Sequence, residues 1–195
     1  MAGTLVPGVA EVLADEHASP LFASHRATGV HRLSTLCGSV VPGATATLSD
    51  PAQLGRLARR VADDPGQWLS LVRYDQGRRW YHCLARDEAC EIWLLSWLPG
   101  QHTGFHDHGT SAGAFTIASG VLRERAAPDG RPEQPGRSLL PGAVRSFGPG
   151  YVHDVRNESA RPAVSVHAYS PPLSSMRRYA VMSGRLQLTG EDWEW

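Results

Sequence analysis

Neither charge is in surplus in this chain. Its 19 Lys and Arg face 19 Asp and Glu, and no block of like charge breaks the balance. A chain without a basic or acidic face lacks the electrostatic footprint of a nucleic-acid or polyphosphate binder. Cysteine is scarce as well: Cys37, Cys83 and Cys90 are odd in number and show no C-x-x-C spacing. That argues against a disulfide scaffold or a zinc ribbon and fits a reducing cytosol, so the expected location is cytoplasmic. No apolar stretch reaches membrane-spanning length, and residues 1–7 carry no basic leader, so a membrane is not an expected partner. What remains is one globular domain over residues 1–195, long enough to bury a sizeable core.

The first third reads helical. Residues 9–17 carry apolar positions at Val9, Val12 and Leu13 before Ser19-Pro20 stops the run. A second helix starts at Asp50-Pro51, with Asp50 as cap and proline in the first turn. It continues through Leu54, Leu57, Ala58 and Val61 until Asp63-Asp64-Pro65-Gly66 breaks it. The grammar then changes. Short runs rich in Val, Ile, Trp and Tyr at 79–84, 91–98, 113–124, 143–147, 153–157, 163–170 and 179–188 alternate with Gly and Pro. Such spacing predicts an all-β sandwich or barrel over residues 68–195, behind a mainly helical segment 1–67. Residues 126–137, rich in Pro, Gly and charge, read as a surface loop.

Two histidine-bearing segments carry the chemistry. The first runs from Gly100 through His106-Asp107-His108 to Gly113 and Gly120; the second runs from Gly142 through Gly148-Pro149-Gly150 and His153 to Asn157. An H-x-H pair on a strand sets both imidazoles on one face, and a third histidine from a later strand completes a facial set of nitrogens. Such a set leaves open positions on a divalent metal. In glycine and histidine spacing the two segments resemble the paired motifs of the cupins, with Gly148 where proline is usual. The resemblance implies a double-stranded β-helix, or jelly-roll, barrel. Cupins commonly place a glutamate ligand at the position of Gly113, so here the metal would have three neutral histidines and no carboxylate.

That departure, with the sequence downstream, resembles the cysteine dioxygenase family of thiol dioxygenases. The likeness is carried by Trp97, His106-Asp107-His108, His153 with Val155 and Asn157, and Pro162 to Pro172, and it covers about residues 79–172. The resemblance implies an iron(II) enzyme that uses O₂ to oxidise a small thiol to a sulfinate, acting as a monomer or small homo-oligomer. It makes His106, His108 and His153 the Fe(2+) ligands, and Ser165, His167 and Tyr169 a hydrogen-bonded catalytic relay. It also makes Ser170-Pro171 a cis peptide. Gly113 stands where the animal enzymes have a cysteine cross-linked to the tyrosine, so the bacterial type is the nearer likeness.

The residues support this chemistry in their own right. Three neutral imidazoles leave the full dipositive charge on a metal, which then favours an anionic thiolate. Ser165, His167 and Tyr169 alternate on one face of a strand whose other face, Val164, Val166 and Ala168, is apolar. Without the resemblance, these three read as the polar outer face of a half-buried strand.

A second departure concerns the substrate. Cysteine-specific relatives grip the carboxylate with an arginine on an early strand, where this chain reads Arg79 to Arg86 and has His82 or Cys83 at the arginine position. Arg79, His82 and Cys83 are therefore the candidate substrate contacts, and cysteine, a mercapto acid and an aminothiol all stay open. Trp93 and Trp97 read as barrel packing, and Arg123, Arg125, Arg177 and Arg178 as exposed strand charges. His17, His25, His31 and His102 read as solvated. Two other readings stand beside the dioxygenase: a three-histidine metallocupin of another enzyme class using a different metal, and a non-catalytic cupin that binds a small molecule.

Overall fold

Helix α1 (Pro51–Ala62) begins as its sequence predicts: Asp50 Oδ1 accepts the Ala52 N–H at 2.9 Å, and proline occupies the first turn. The computed structural model describes residues 50–193, so the helix expected over residues 9–17 lies outside the described residues. Leu54, Leu57, Ala58 and Val61 form the buried face of α1. Two single 3₁₀ turns, Pro65–Gln67 and Leu69–Leu71, follow. Between them the indole N–H of Trp68 donates to the Val61 carbonyl at 3.1 Å and ties down the helix end.

The remainder is β, in two antiparallel sheets. One has the order β1 (Trp80–Arg86), β2 (Glu91–Trp97), β9 (Ala163–Ser170), β4 (Ala112–Ser119), β7 (Val144–Phe147). The other has the order β11 (Arg185–Asp192), β10 (Met176–Met182), β3 (Phe105–His106), β8 (His153–Arg156), β5 (Leu122–Ala126), β6 (Arg137–Leu139). This is the jelly-roll cupin architecture that the motif spacing implied.

Strand β9 shows how the layers are built. It lies between β2 and β4, and every residue in it is buried. Val164, Val166 and Ala168 join Ile92, Leu94 and α1 in a core on the outer face of the five-stranded sheet. Ser165, His167 and Tyr169 point the other way, as alternation required, into the space between the sheets. There Trp97, Phe115, Ile117, Leu122, Leu139 and Val155 form the second core.

Three expectations are refined. The run 113–124 is two strands, because Gly120 has a φ of +75° and a Cβ there would lie 2.7 Å from Ala163. The run 179–188 is a hairpin turning at Ser183-Gly184, and its first strand begins earlier, at Met176. Strand β3 keeps only Phe105 and His106, so the H-x-H pair is not wholly on a strand. The Ser170–Pro171 peptide is cis. Among the described residues no helix is long and apolar enough to cross a membrane.

Candidate metal centre

His106 sits opposite His153 where β3 pairs with β8. After His106 the chain leaves the ladder. Asp107, fully buried, accepts the Gly109 N–H at 3.0 Å and is held by Arg177 Nη2 at 2.8 Å and the Tyr179 hydroxyl at 2.7 Å. This turn, rather than strand alternation, brings His108 back into the interior. One ligand nitrogen from each of His106, His108 and His153 lies within 4.8 Å of the others, and all three side chains are buried.

Their outer nitrogens are held differently. His106 Nδ1 donates to the Gly104 carbonyl at 2.9 Å, and His153 Nδ1 donates to Glu124 Oε1 at 3.0 Å. Both bonds leave Nε2 with its lone pair turned inward. Neither nitrogen of buried His108 has a hydrogen-bond partner. Burying an unpaired imidazole is costly. Three converging nitrogens, one residue of them otherwise unpartnered, are a donor set that fits a divalent cation. Burial, then the neighbouring histidines, push His106 and His108 well below the ordinary imidazole range, so both stand in the neutral, ligating form.

Around this centre Gly113 is required by packing. A Cβ at 113 would run into the Phe147 ring and lie 2.9 Å from Tyr169 Cδ1. Phe147 in turn stacks on His108, with ring centroids 5.2 Å apart.

The relay proposed on β9 is assembled. Ser165 Oγ is 2.8 Å from His167 Nε2, and His167 Nδ1 is 3.2 Å from the Tyr169 hydroxyl. Trp97 extends the chain, its indole N–H reaching Ser165 Oγ at 2.9 Å. An indole only donates, so Ser165 accepts from Trp97 and gives its own proton to His167 Nε2. His167 then carries its proton on Nδ1 and donates to Tyr169, which leaves the phenol proton free for the cavity. Burial holds His167 neutral, and burial with nearby Glu91 raises Tyr169 well above an ordinary phenol, so it stays protonated.

A narrow cavity opens in front of these groups. Arg79, Tyr81, Trp93, His106, His153, His167, Tyr169 and Arg178 are among its walls. Three sequence expectations change here. His82 stacks on Trp80 at 5.9 Å, on the face of β1 opposite to Arg79 and Tyr81, and does not line the cavity. Cys83 does not line it either; its thiol contacts the Ala85 carbonyl at 3.5 Å where β1 bulges, and burial pushes it up to about 11. Trp93 lines the cavity rather than only packing the barrel.

Arg79 does reach the site. Its guanidinium lies 4.7 Å above the Trp97 ring and donates to the His102 carbonyl at 3.1 Å, while Nε has no partner. Arg178, an exposed charge by sequence pattern, sits opposite His106 on β10. It pairs with Asp192 at 2.8 Å, donates to the Thr103 carbonyl at 3.3 Å, and keeps a buried, unpartnered Nη2. Burial and the proximity of Arg178 lower Arg79 to about 10, so both remain cationic at neutral pH. Two guanidiniums, each with an unsatisfied N–H, give this cavity an anion-seeking wall.

Glu124 is a further residue of the site that the sequence pattern does not single out. It is 2% exposed, and besides His153 it binds Arg145 Nε at 2.5 Å and the Tyr151 hydroxyl at 3.3 Å. Burial alone would raise it, but the bond from His153 and the charge of Arg145 hold it below the usual carboxylate range. His102 is solvated as expected; His17, His25 and His31 lie outside the described residues.

The sequence model of the cysteine dioxygenase type I family matches residues 46–182. Cysteine dioxygenase type 1 of Danio rerio is 25% identical over 142 residues, which cover 68% of this chain and 71% of that protein. The Homo sapiens protein of the same name is 27% identical over 131 residues, covering 62% of this chain and 65% of that one. Among solved structures, the TT1209 protein of Thermus thermophilus is 27% identical, with a TM-score of 0.48 over 53% of this chain and 93% of its own. A cupin superfamily protein of Desulfitobacterium hafniense is 13% identical, with a TM-score of 0.45 over 53% and 87%.

Proposed function

The chain belongs to the cysteine dioxygenase type I family, and from that premise we propose that it is a mononuclear non-haem iron dioxygenase that oxidises a small, acid-bearing thiol to its sulfinate. The observation that carries the reading is a cluster of three buried histidines, two of which, His106 and His153, line one cavity with a phenol whose proton is free and two partly unsatisfied arginines.

In the overall reaction a thiol RSH and O₂ give RSO₂⁻ and a proton. The O–O bond breaks, two S–O bonds form, and sulfur yields the four electrons that O₂ accepts. Iron(II) held by His106, His108 and His153 would bring thiolate and dioxygen together and activate both. The protein residues supply the rest. Three neutral ligands leave the positive charge of the centre undiminished, which favours the thiolate over the thiol. Tyr169, oriented by His167, Ser165 and Trp97, offers an O–H to oxygen-bearing groups in the cavity. Arg79 and Arg178 offer their free N–H groups to a carboxylate on the substrate, so cysteine and mercapto acids fit the site better than a plain aminothiol.

The test is oxygen uptake by iron-loaded protein across cysteine, mercapto acids and aminothiols. The expected result is rapid uptake with the thiol acids and little with the aminothiols. Bound iron with no uptake on any of them contradicts the reading.

A further inference from the structure

The three histidines are alike as ligands but not in what stands behind them. A backbone carbonyl backs His106, nothing backs His108, and a buried carboxylate backs His153. Strand β5 turns Leu122, Glu124 and Ala126 to the same buried side, so an acid sits where alternation calls for an apolar residue. Strand β7 serves the same corner twice: Phe147 packs on His108, and Arg145, two residues earlier, reaches Glu124.

We infer that Glu124 is a positioning residue for the metal, fixing His153 with Nε2 toward the centre and lending it, through the imidazole, the negative charge that the ligand set itself lacks. The argument rests on reading the three histidines as a metal centre. A carboxylate on the outer nitrogen of a ligating histidine fixes its ring and raises its basicity. That bond is kept ionic here because Arg145 and Tyr151 satisfy the rest of the carboxylate, so the acid is neither left unpaired nor neutralised by a proton. A fold-stabilising ion pair would be complete with Arg145 alone. It would not explain why one oxygen is spent on the ligand histidine. The position of Gly113, where cupins commonly have a ligand glutamate, is closed by Phe147. The negative charge thus stands one bond further from the metal, behind a histidine.

The test uses Glu124→Gln, which keeps an acceptor but removes the charge, and Glu124→Asp, which restores it. The measurements are cobalt(II) and iron(II) affinity by chelator competition and the ligand-field spectrum of the cobalt(II) protein. The unfolding midpoint of the metal-free protein is followed alongside. The expected result is an affinity about 10–100-fold lower for Glu124→Gln, with shifted cobalt(II) bands, an intact metal-free fold and partial recovery in Glu124→Asp. A folded Glu124→Gln protein with affinity within about threefold of wild type overturns the inference. Should Glu124→Gln not fold, Arg145→Gln tests the same chain from its outer end. A drop of more than about threefold then supports the inference, and a smaller one overturns it. Affinity is read without thiol or O₂. A protein that passes this test yet oxidises no thiol would refute the proposed activity and leave the role of Glu124 standing.

Discussion

Tyr169 lies where the phenol is both buried and only half committed, since His167 occupies its lone pair and leaves its proton free. Replacing it with phenylalanine removes that proton and little else. Tyr169→Phe is expected to keep its metal and thermal stability while turnover falls by ~10²–10⁴, the range of a positioned proton donor. Unchanged turnover would return the β9 triad to a packing role. The arginines act at another step. Arg79→Ala and Arg178→Ala are each expected to raise KM for a thiol acid with little change in kcat, and to leave aminothiols unaffected. An equal effect on both substrate classes would show that the arginines hold the fold and not the carboxylate. Not all of these residues were legible in the chain. Motif spacing named the three histidines; the family resemblance named Ser165, His167 and Tyr169, which alternation alone only set on one face of a strand. Arg178 was hidden by its neighbour, although two adjacent strand residues point to opposite faces, so one of Arg177 and Arg178 had to turn inward. Glu124 was hidden by its type, because a carboxylate between Leu122 and Ala126 reads as surface until its partners are known.

At the level of elements, strand periodicity placed most of the barrel and missed where backbone geometry rather than hydrophobicity sets an end. Gly120 and the Ser183-Gly184 turn cut two long apolar runs, each at a positive φ. His108 shows a different limit. The H-x-H rule gave the right outcome for a partly wrong reason, because Asp107, with Arg177 and Tyr179, and not a continuous strand, returns it to the interior. The pairing of β4 with β7 and β9 sets the most testable constraint. Gly113 lies opposite both Phe147 and Tyr169, and no room remains for a Cβ. Gly113→Ala is expected to destabilise the protein by about 1–3 kcal/mol and to lower turnover by displacing Tyr169 or Phe147. Adding Phe147→Leu to it should recover part of the stability in a denaturant melt. Gly113→Ala with wild-type stability would show that the ring yields freely and that the glycine is not a packing requirement.

For the whole molecule, the buried histidines tie stability to pH. His106, His108 and His167 are neutral in the fold, held below the unfolded value of about 6.5 by burial first and then by neighbouring histidines and arginines. The unfolded chain therefore binds more protons than the native one below that pH, and stability is lost as pH falls through and beneath it. Depressed Glu124 and Asp154 extend the loss into the carboxylate range. Glu91, raised by burial, works the other way and is one group against several. Denaturant melts of the metal-free protein are expected to show full stability above about pH 6.5 and a steady decline on acidification. A flat profile between neutral pH and pH about 5 would mean that these imidazoles are not kept neutral by the fold.

The central claim is that this three-histidine cavity inserts both atoms of O₂ into one sulfur. The direct measurement is mass spectrometry of the product formed by iron-loaded protein from a thiol acid under ¹⁸O₂. The predicted result is a sulfinate carrying two labelled oxygens, and no product from His108→Ala. Disulfide alone, or a sulfinate labelled at one oxygen or none, would contradict it.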